Sequence, residues 1–156
     1  ILVCSELNDD MTSIKQDYVL FSRKEKQRYN YNEAPYVFFR NGLYYFTWSE
    51  NDTRSKNYRV RYTISDSPTE LVRNGKPATV EKAIVLQRND KEQIFGTGHH
   101  AVLQRPGTDE WFIVYHRFAR PWAAKLDWSA GYNRETCIDR MEFNADGTIK
   151  PVKVTN

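Results

Sequence analysis

Ala34-Pro35-Tyr36-Val37-Phe38-Phe39-Arg40-Asn41-Gly42-Leu43-Tyr44-Tyr45-Phe46-Thr47-Trp48 is the stretch that decides the fold class. Two apolar, aromatic-rich runs, residues 34–39 and 43–48, flank a single Asn-Gly pair. Both central residues of a type I′ turn need positive φ, which Asn and Gly tolerate best. The spacing therefore predicts a β-hairpin turning at Asn41-Gly42.

The same signal recurs outward from this hairpin. Residues 58–64 alternate, with Tyr58, Val60, Tyr62 and Ile64 on one face and Arg59, Arg61 and Thr63 on the other. Residues 101–105 and 111–116 flank the turn Pro106-Gly107-Thr108-Asp109-Glu110 and predict a second hairpin. Residues 136–143 and 149–154, around Asn144-Ala145-Asp146-Gly147, predict a third. Helical periodicity is hard to find, so the chain reads as all-β.

The hairpins read as copies of one unit. Residues 43–50 match residues 1–6 in their closing Ser-Glu, and residues 111–116 fill the same slot. Glu33-Ala34-Pro35-Tyr36 and His100-Ala101-Val102 lead into the two complete hairpins. Such repetition points to blades of a β-propeller, with a sandwich of unrelated hairpins as the alternative. Residues 1–6 align with the second strand of a hairpin, so the chain is expected to begin inside a blade. Roughly two and a half blades cannot close a ring, so the remaining blades are expected from the N-terminal part of a longer protein or from another chain.

Charge narrows the partners. The 23 basic and 20 acidic residues leave a net charge of +3, and the basic residues are scattered. The exception, Arg23, Lys24, Lys26 and Arg28, reads as a solvated loop. Neither a nucleic-acid surface nor a bilayer-spanning run is expected. Ten Tyr, eight Phe and four Trp suit strands, and also suit sugar binding, where flat rings meet the C–H faces of sugars. Cys4 and Cys137 stand far apart in no metal-ligand spacing and read as free, buried thiols.

Several residues at strand starts carry chemistry. Glu33 begins the strand that would line a propeller axis, where burial beside Tyr31 and Tyr36 would favour the neutral acid. His99 and His100 follow Gly96-Thr97-Gly98, whose glycines permit close backbone approach or unusual dihedrals. Adjacent residues on a strand face opposite ways, so one imidazole at most serves the axial funnel. There it would bind a cation, directly or through water, or orient a carboxylate. His116 would reach the funnel or pack behind it. Arg134, just before residues 136–143, has the forked guanidinium that suits vicinal hydroxyls or a carboxylate. Arg140 reads as structural, paired with Asp139 or Glu142. Trp122, Trp128, Phe118 and Tyr132 lie in one aromatic-rich segment, which suggests either sugar stacking or core anchoring.

Glu33-Ala34-Pro35-Tyr36-Val37-Phe38, followed by Arg40 to Ser49, closely resembles the general-acid blade of glycoside hydrolase family 43. Gly96-Thr97-Gly98-His99-His100-Ala101-Val102 with residues 111–116 is similar to the next blade. Arg134-Glu135-Thr136 through Asp139-Arg140-Met141, ending in residues 144–149, is similar to the last. The resemblance implies the C-terminal portion, residues 1–156, of a five-bladed propeller. It also implies an inverting glycosidase acting on α-L-arabinofuranosyl or β-D-xylosyl linkages of plant polysaccharides or oligosaccharides. Glu33 matches the general acid, His99 the histidine near an axial calcium or other cation, and Arg134 the arginine of the sugar subsite; Trp122 joins them as a sugar-stacking candidate. The family's catalytic base is an Asp on a blade absent from this chain, so the chain alone is expected to be inactive. A non-catalytic carbohydrate-binding fragment is the alternative. Polysaccharide-degrading members are usually exported, which makes an extracellular or periplasmic location the expectation.

Overall fold

The structure, a computed structural model, describes residues 1–79, 83–125 and 129–155, with the Arg28 side chain left aside. Three antiparallel sheets carry the architecture. Strands β1 (Leu2–Leu7) and β2 (Ile14–Phe21) form a two-stranded half-blade. Four strands follow in the spatial order β3 (Tyr31–Arg40), β4 (Leu43–Glu50), β5 (Arg59–Ser65), β8 (Ile84–Leu86). A short hairpin, β6 (Val72–Arg73) with β7 (Lys76–Pro77), interrupts the run from β5 to β8. The third sheet places β9 (Gly98–Gln104), β10 (Trp111–Phe118) and β11 (Arg134–Met141) side by side. These are blades of a partial β-propeller, about two and a half of them.

The Asn41-Gly42 hairpin forms as its sequence demands. Asn41 and Gly42 have φ of 51° and 80°, and Arg40 pairs directly with Leu43. Burial explains why β4 is apolar on both faces. Phe46 and Trp48 pack toward the half-blade with Leu2, Leu20 and Phe21, while Tyr45 packs toward the third sheet. In that second core the Tyr45 and Phe38 rings stack at 4.7 Å, with Trp111 and Phe143 against Phe38. A strand sandwiched between two sheets has no solvent face, so alternation gives way to a continuous apolar run.

Three expectations are corrected. Residues 136–143 and 149–154 do not make a third hairpin. β11 is the third strand of the β9–β10 sheet, and beyond it one isolated bridge joins Phe143 to Ile149. Residues 149–155 instead strap two blades together: Val152 N–H donates to the Val85 carbonyl, and the Thr155 hydroxyl donates to Asp139. The basic run is not a loop but the helix α1 (Arg23–Arg28), opened by a capping box in which Ser22 and Glu25 satisfy each other's backbone N–H. Arg140 pairs with Glu110 at 3.0 Å rather than with Asp139 or Glu142. Asp139 is buried and accepts from the Tyr115 hydroxyl at 2.6 Å, because it faces the opposite side of β11. Cys4 and Cys137 are both free thiols, half-buried. Among the described residues, no helix is long and apolar enough to cross a membrane.

Candidate active site

Two local distortions aim Glu33. The register of β3 against β4 shifts on both sides of it, between Tyr31 and Glu33 and between Glu33 and Tyr36. The next residue, Ala34, sits at φ 53°, a left-handed conformation that a side chain with a Cβ rarely adopts. Bulges re-aim side chains, and strained backbone gathers at functional sites. The Glu33 carboxyl is partly exposed, and its Oε1 accepts a 2.8 Å hydrogen bond from the Tyr58 hydroxyl. His99 Nδ1 faces the same oxygen at 3.7 Å, a contact that becomes an ion pair when the imidazole is protonated. The aromatic hydroxyl on Glu33 is thus Tyr58's. That of Tyr36 is spent on the Val102 carbonyl at 2.9 Å.

Tyr58 is fully buried, and the sequence around it explains how it fits. A Cβ on Gly98 would lie 2.3 Å from the Tyr58 ring, so only glycine allows this approach. On the other side the His116 ring stacks parallel to Tyr58, centroids 5.5 Å apart with a 4° tilt. Gly96, at φ 64°, lies equally close to the Phe118 ring. The two glycines of Gly96-Thr97-Gly98 therefore serve both purposes expected of them. Burial pushes the Tyr58 phenol up, well above its ordinary range, and the hydrogen bond to Glu33 adds to this. Tyr58 is a neutral donor at any working pH.

The two adjacent histidines part as strand geometry requires. His99 (φ 49°) is exposed in the cluster with Glu33. His100 is buried, 2.6 Å from the Thr47 hydroxyl. Thr47 gives its own proton to the Tyr36 carbonyl, so His100 must donate from Nε2. Burial pushes its pKa down to about 3, and the neighbouring His99 acts in the same direction.

Arg134 reaches the cluster from β11. Its Nη1 lies 3.2 Å from His116 Nε2 and 3.1 Å from the Thr53 hydroxyl. The loop that carries Thr53 is seated by Gly131, where a Cβ would meet the Arg54 backbone at 2.5 Å. Glu33 and His99, singled out separately, therefore meet beside Tyr58, to which sequence reasoning gave no role in the site, and Arg134 joins them through His116. Gly98 held the signal for Tyr58, since a glycine inside a strand marks a close neighbour.

The aromatic segment divides. Phe118 is core, packed with Phe95, Ala123 and Ala130. Tyr132 is exposed. Trp122 begins a short 3-10 helix (Trp122–Ala124) with Lys125 Nζ 4.0 Å over its ring. Among the described residues, no hydrogen bond or ring contact joins Trp122 to the Glu33 cluster; Trp128 lies outside the described residues. Among them, no group of three or more His, Cys, Asp or Glu side chains converges as a metal cage.

Comparison with known proteins supports the same conclusion. The family model "Glycosyl hydrolases family 43" matches residues 1–149. A β-D-galactofuranosidase of Aspergillus niger is 38% identical over 98% of this chain, and the chain spans 39% of that protein's length. A solved glycoside hydrolase superposes with a TM-score of 0.76 at 29% identity, covering 98% of this chain and 31% of its own. An α-L-arabinofuranosidase of Clostridium thermocellum gives a TM-score of 0.63 at 28% identity, covering 97% of this chain and 44% of its own. With a family model spanning nearly all of its length and a propeller fold shared with solved members, the chain belongs to glycosyl hydrolase family 43.

Proposed function

We propose that this chain carries the general acid of an inverting glycosidase that releases α-L-arabinofuranosyl or β-D-xylosyl groups from plant polysaccharides or oligosaccharides. The observation that carries the proposal is Glu33 itself. It is aimed by a bulge, held on one oxygen by Tyr58, and left partly open to solvent. A carboxyl group so held can deliver a proton to a glycosidic oxygen as the bond to the leaving group breaks. Arg134 supplies forked donors for sugar hydroxyls, and Trp122 an aromatic face for the sugar.

Inversion requires a second carboxylate, roughly 6.5–9.5 Å from the acid, to activate a water on the opposite face of the sugar. We assign that base to blades outside residues 1–156, which makes this chain inactive alone and active within the longer protein. A hydrated calcium or other cation fits at His99 only through its water shell. Calcium prefers a set of oxygen ligands, and a lone imidazole is no cage for it. Such a cation would supply positive charge near the sugar; the protein's own residues bind and protonate. Secretion to an extracellular or periplasmic space accords with a polysaccharide substrate.

The test is Glu33→Gln in the full-length protein, assayed on oligosaccharides and on 4-nitrophenyl α-L-arabinofuranoside, β-D-xyloside and β-D-galactofuranoside. The last substrate is included because of the Aspergillus relative. The variant should lose about 10²–10⁴-fold on oligosaccharides and far less on the activated aryl glycosides, which need little protonation. Equal losses on both would overturn the acid assignment, and wild-type sugar binding without turnover would leave a carbohydrate-binding protein.

A further inference from the structure

A directed hydrogen-bond chain ends on Glu33. It starts at the backbone N–H of His99, which donates to Ser49 Oγ at 2.9 Å. A backbone N–H can only donate, so Ser49 must accept there and keeps its own proton for another partner. Ser49 acts on the Tyr58 phenol in the sense of a donor, opposing the upward push of burial. The Tyr58 hydroxyl donates to Glu33 Oε1, 2.8 Å away. Ser49 and Tyr58 are both fully buried.

We propose that Tyr58, oriented through Ser49 by the His99 backbone, is a positioning residue that keeps Glu33 Oε1 an acceptor and confines the catalytic proton to Oε2. This rests on the reading of Glu33 as the general acid. Among the described residues, Oε2 accepts no hydrogen bond, so it is the oxygen free to face a leaving group. In the transfer, the O–H bond at Oε2 breaks and its proton joins the glycosidic oxygen. The electron pair of the breaking C–O bond stays on that oxygen. Glu33 is left as a carboxylate, whose charge on Oε1 the Tyr58 hydroxyl already stabilises. The pair therefore favours the transition state, in which negative charge develops on Glu33, over the protonated ground state.

The titratable and charged groups around this pair are His99 on β9, His116 on β10, Arg134 on β11 and Tyr31 on β3. None of them changes in the variant Tyr58→Phe, which removes one oxygen and keeps the ring between Gly98 and His116. The experiment compares pH profiles of kcat/KM for the full-length wild type and Tyr58→Phe, on an oligosaccharide and on a 4-nitrophenyl glycoside. A donor on Oε1 stabilises the carboxylate that forms in the transfer, so its loss should move the alkaline limb of kcat/KM to higher pH. Turnover of the oligosaccharide at the optimum should fall about tenfold, and that of the aryl glycoside by less than about threefold.

An unmoved alkaline limb, or equal losses on both substrates, would overturn the proposal, since a merely structural role predicts that pattern. Ser49→Ala keeps the phenol and should move the limb in the same direction by less. It decides the matter if Tyr58→Phe does not fold, and no movement there also counts against the proposal. Glu33→Gln run in parallel separates the two readings. Leaving-group dependence in Glu33→Gln without any effect of Tyr58→Phe rejects the positioning role alone, while its absence rejects the acid assignment.

Discussion

Arg134 donates from Nη1 to Nε2 of His116 at 3.2 Å, and this contact fixes the state of the imidazole. A guanidinium has no lone pair to offer, so His116 must accept at Nε2 and carry its one proton on Nδ1, a buried atom that finds no hydrogen-bond partner among the described residues. Burial pushes the His116 pKa down to about 4, and the positive charge of Arg134 pushes the same way. Arg134 is thus held by a neutral ring that is itself held face to face by Tyr58.

His116→Phe should therefore act on binding rather than on chemistry. Phenylalanine preserves the stack on Tyr58 but removes the acceptor that orients Arg134. In the full-length protein KM should rise roughly tenfold, about 1.4 kcal/mol, with kcat changed much less. His116→Gln restores a carbonyl acceptor and should recover part of the loss. Steady-state kinetics of the two variants check this. A fall in kcat with KM unchanged would separate Arg134 from substrate binding.

Gly98→Ala should cost both stability and activity. Its Cβ would sit 2.3 Å from the Tyr58 ring, which is confined on its other side by His116, so the ring must shift. Overpacking of this kind costs roughly 1–3 kcal/mol, and displacement of Tyr58 also withdraws the donor from Glu33. Gly42→Ala is the informative comparison. Its position at φ 80° is open, so alanine there adds only backbone strain and should leave turnover intact. Urea midpoints and kcat measured together distinguish the two; undiminished turnover in Gly98→Ala would show that the ring yields without losing Glu33.

Much of this arrangement is legible in sequence because local rules dictated it. Asn41-Gly42 set one hairpin, and the alternation of Tyr58, Val60 and Tyr62 marked buried positions, although beyond them Thr63 is buried and Ile64 only half-buried. Residues 149–154 misled because their apolar character comes from strapping two blades, a long-range demand that imitates a strand. Helix α1 was missed although Ser22-x-x-Glu25 spells its capping box, since six residues are too few to show a helical period. Within the site, Glu33, His99 and Arg134 stand at recognisable strand starts. Tyr58 does not: its partners Gly98 and His116 are 40 and 58 positions away, and only the packing of blades brings them together.

The buried histidines also set how the fold responds to acid. The pKa values of His100, about 3, and His116, about 4, lie below the ordinary histidine value of 6.5, so the unfolded chain binds these protons more readily than the folded one. Their contribution to stability is present above pH 6.5 and is lost as pH falls through about 4 for His116 and about 3 for His100. His100 faces the Thr47 hydroxyl, the Tyr36 ring and His99; His116 faces Arg134, His99 and the Tyr58 ring. No carboxylate is hydrogen-bonded to either ring to retain a proton, among the described residues. Asp52 and Asp109, held down to about 2 by Arg54 and Arg40, lose their contributions only below the ordinary aspartate value of 3.8, so they add nothing to a decline between pH 6.5 and 4. Urea midpoints of the full-length protein should decline between pH 6.5 and 4. His100→Gln keeps a donor for Thr47 and removes one titrating group, so its midpoint should start lower at pH 7 and decline less steeply. An equal slope in that variant would mean that His100 takes up no proton on unfolding.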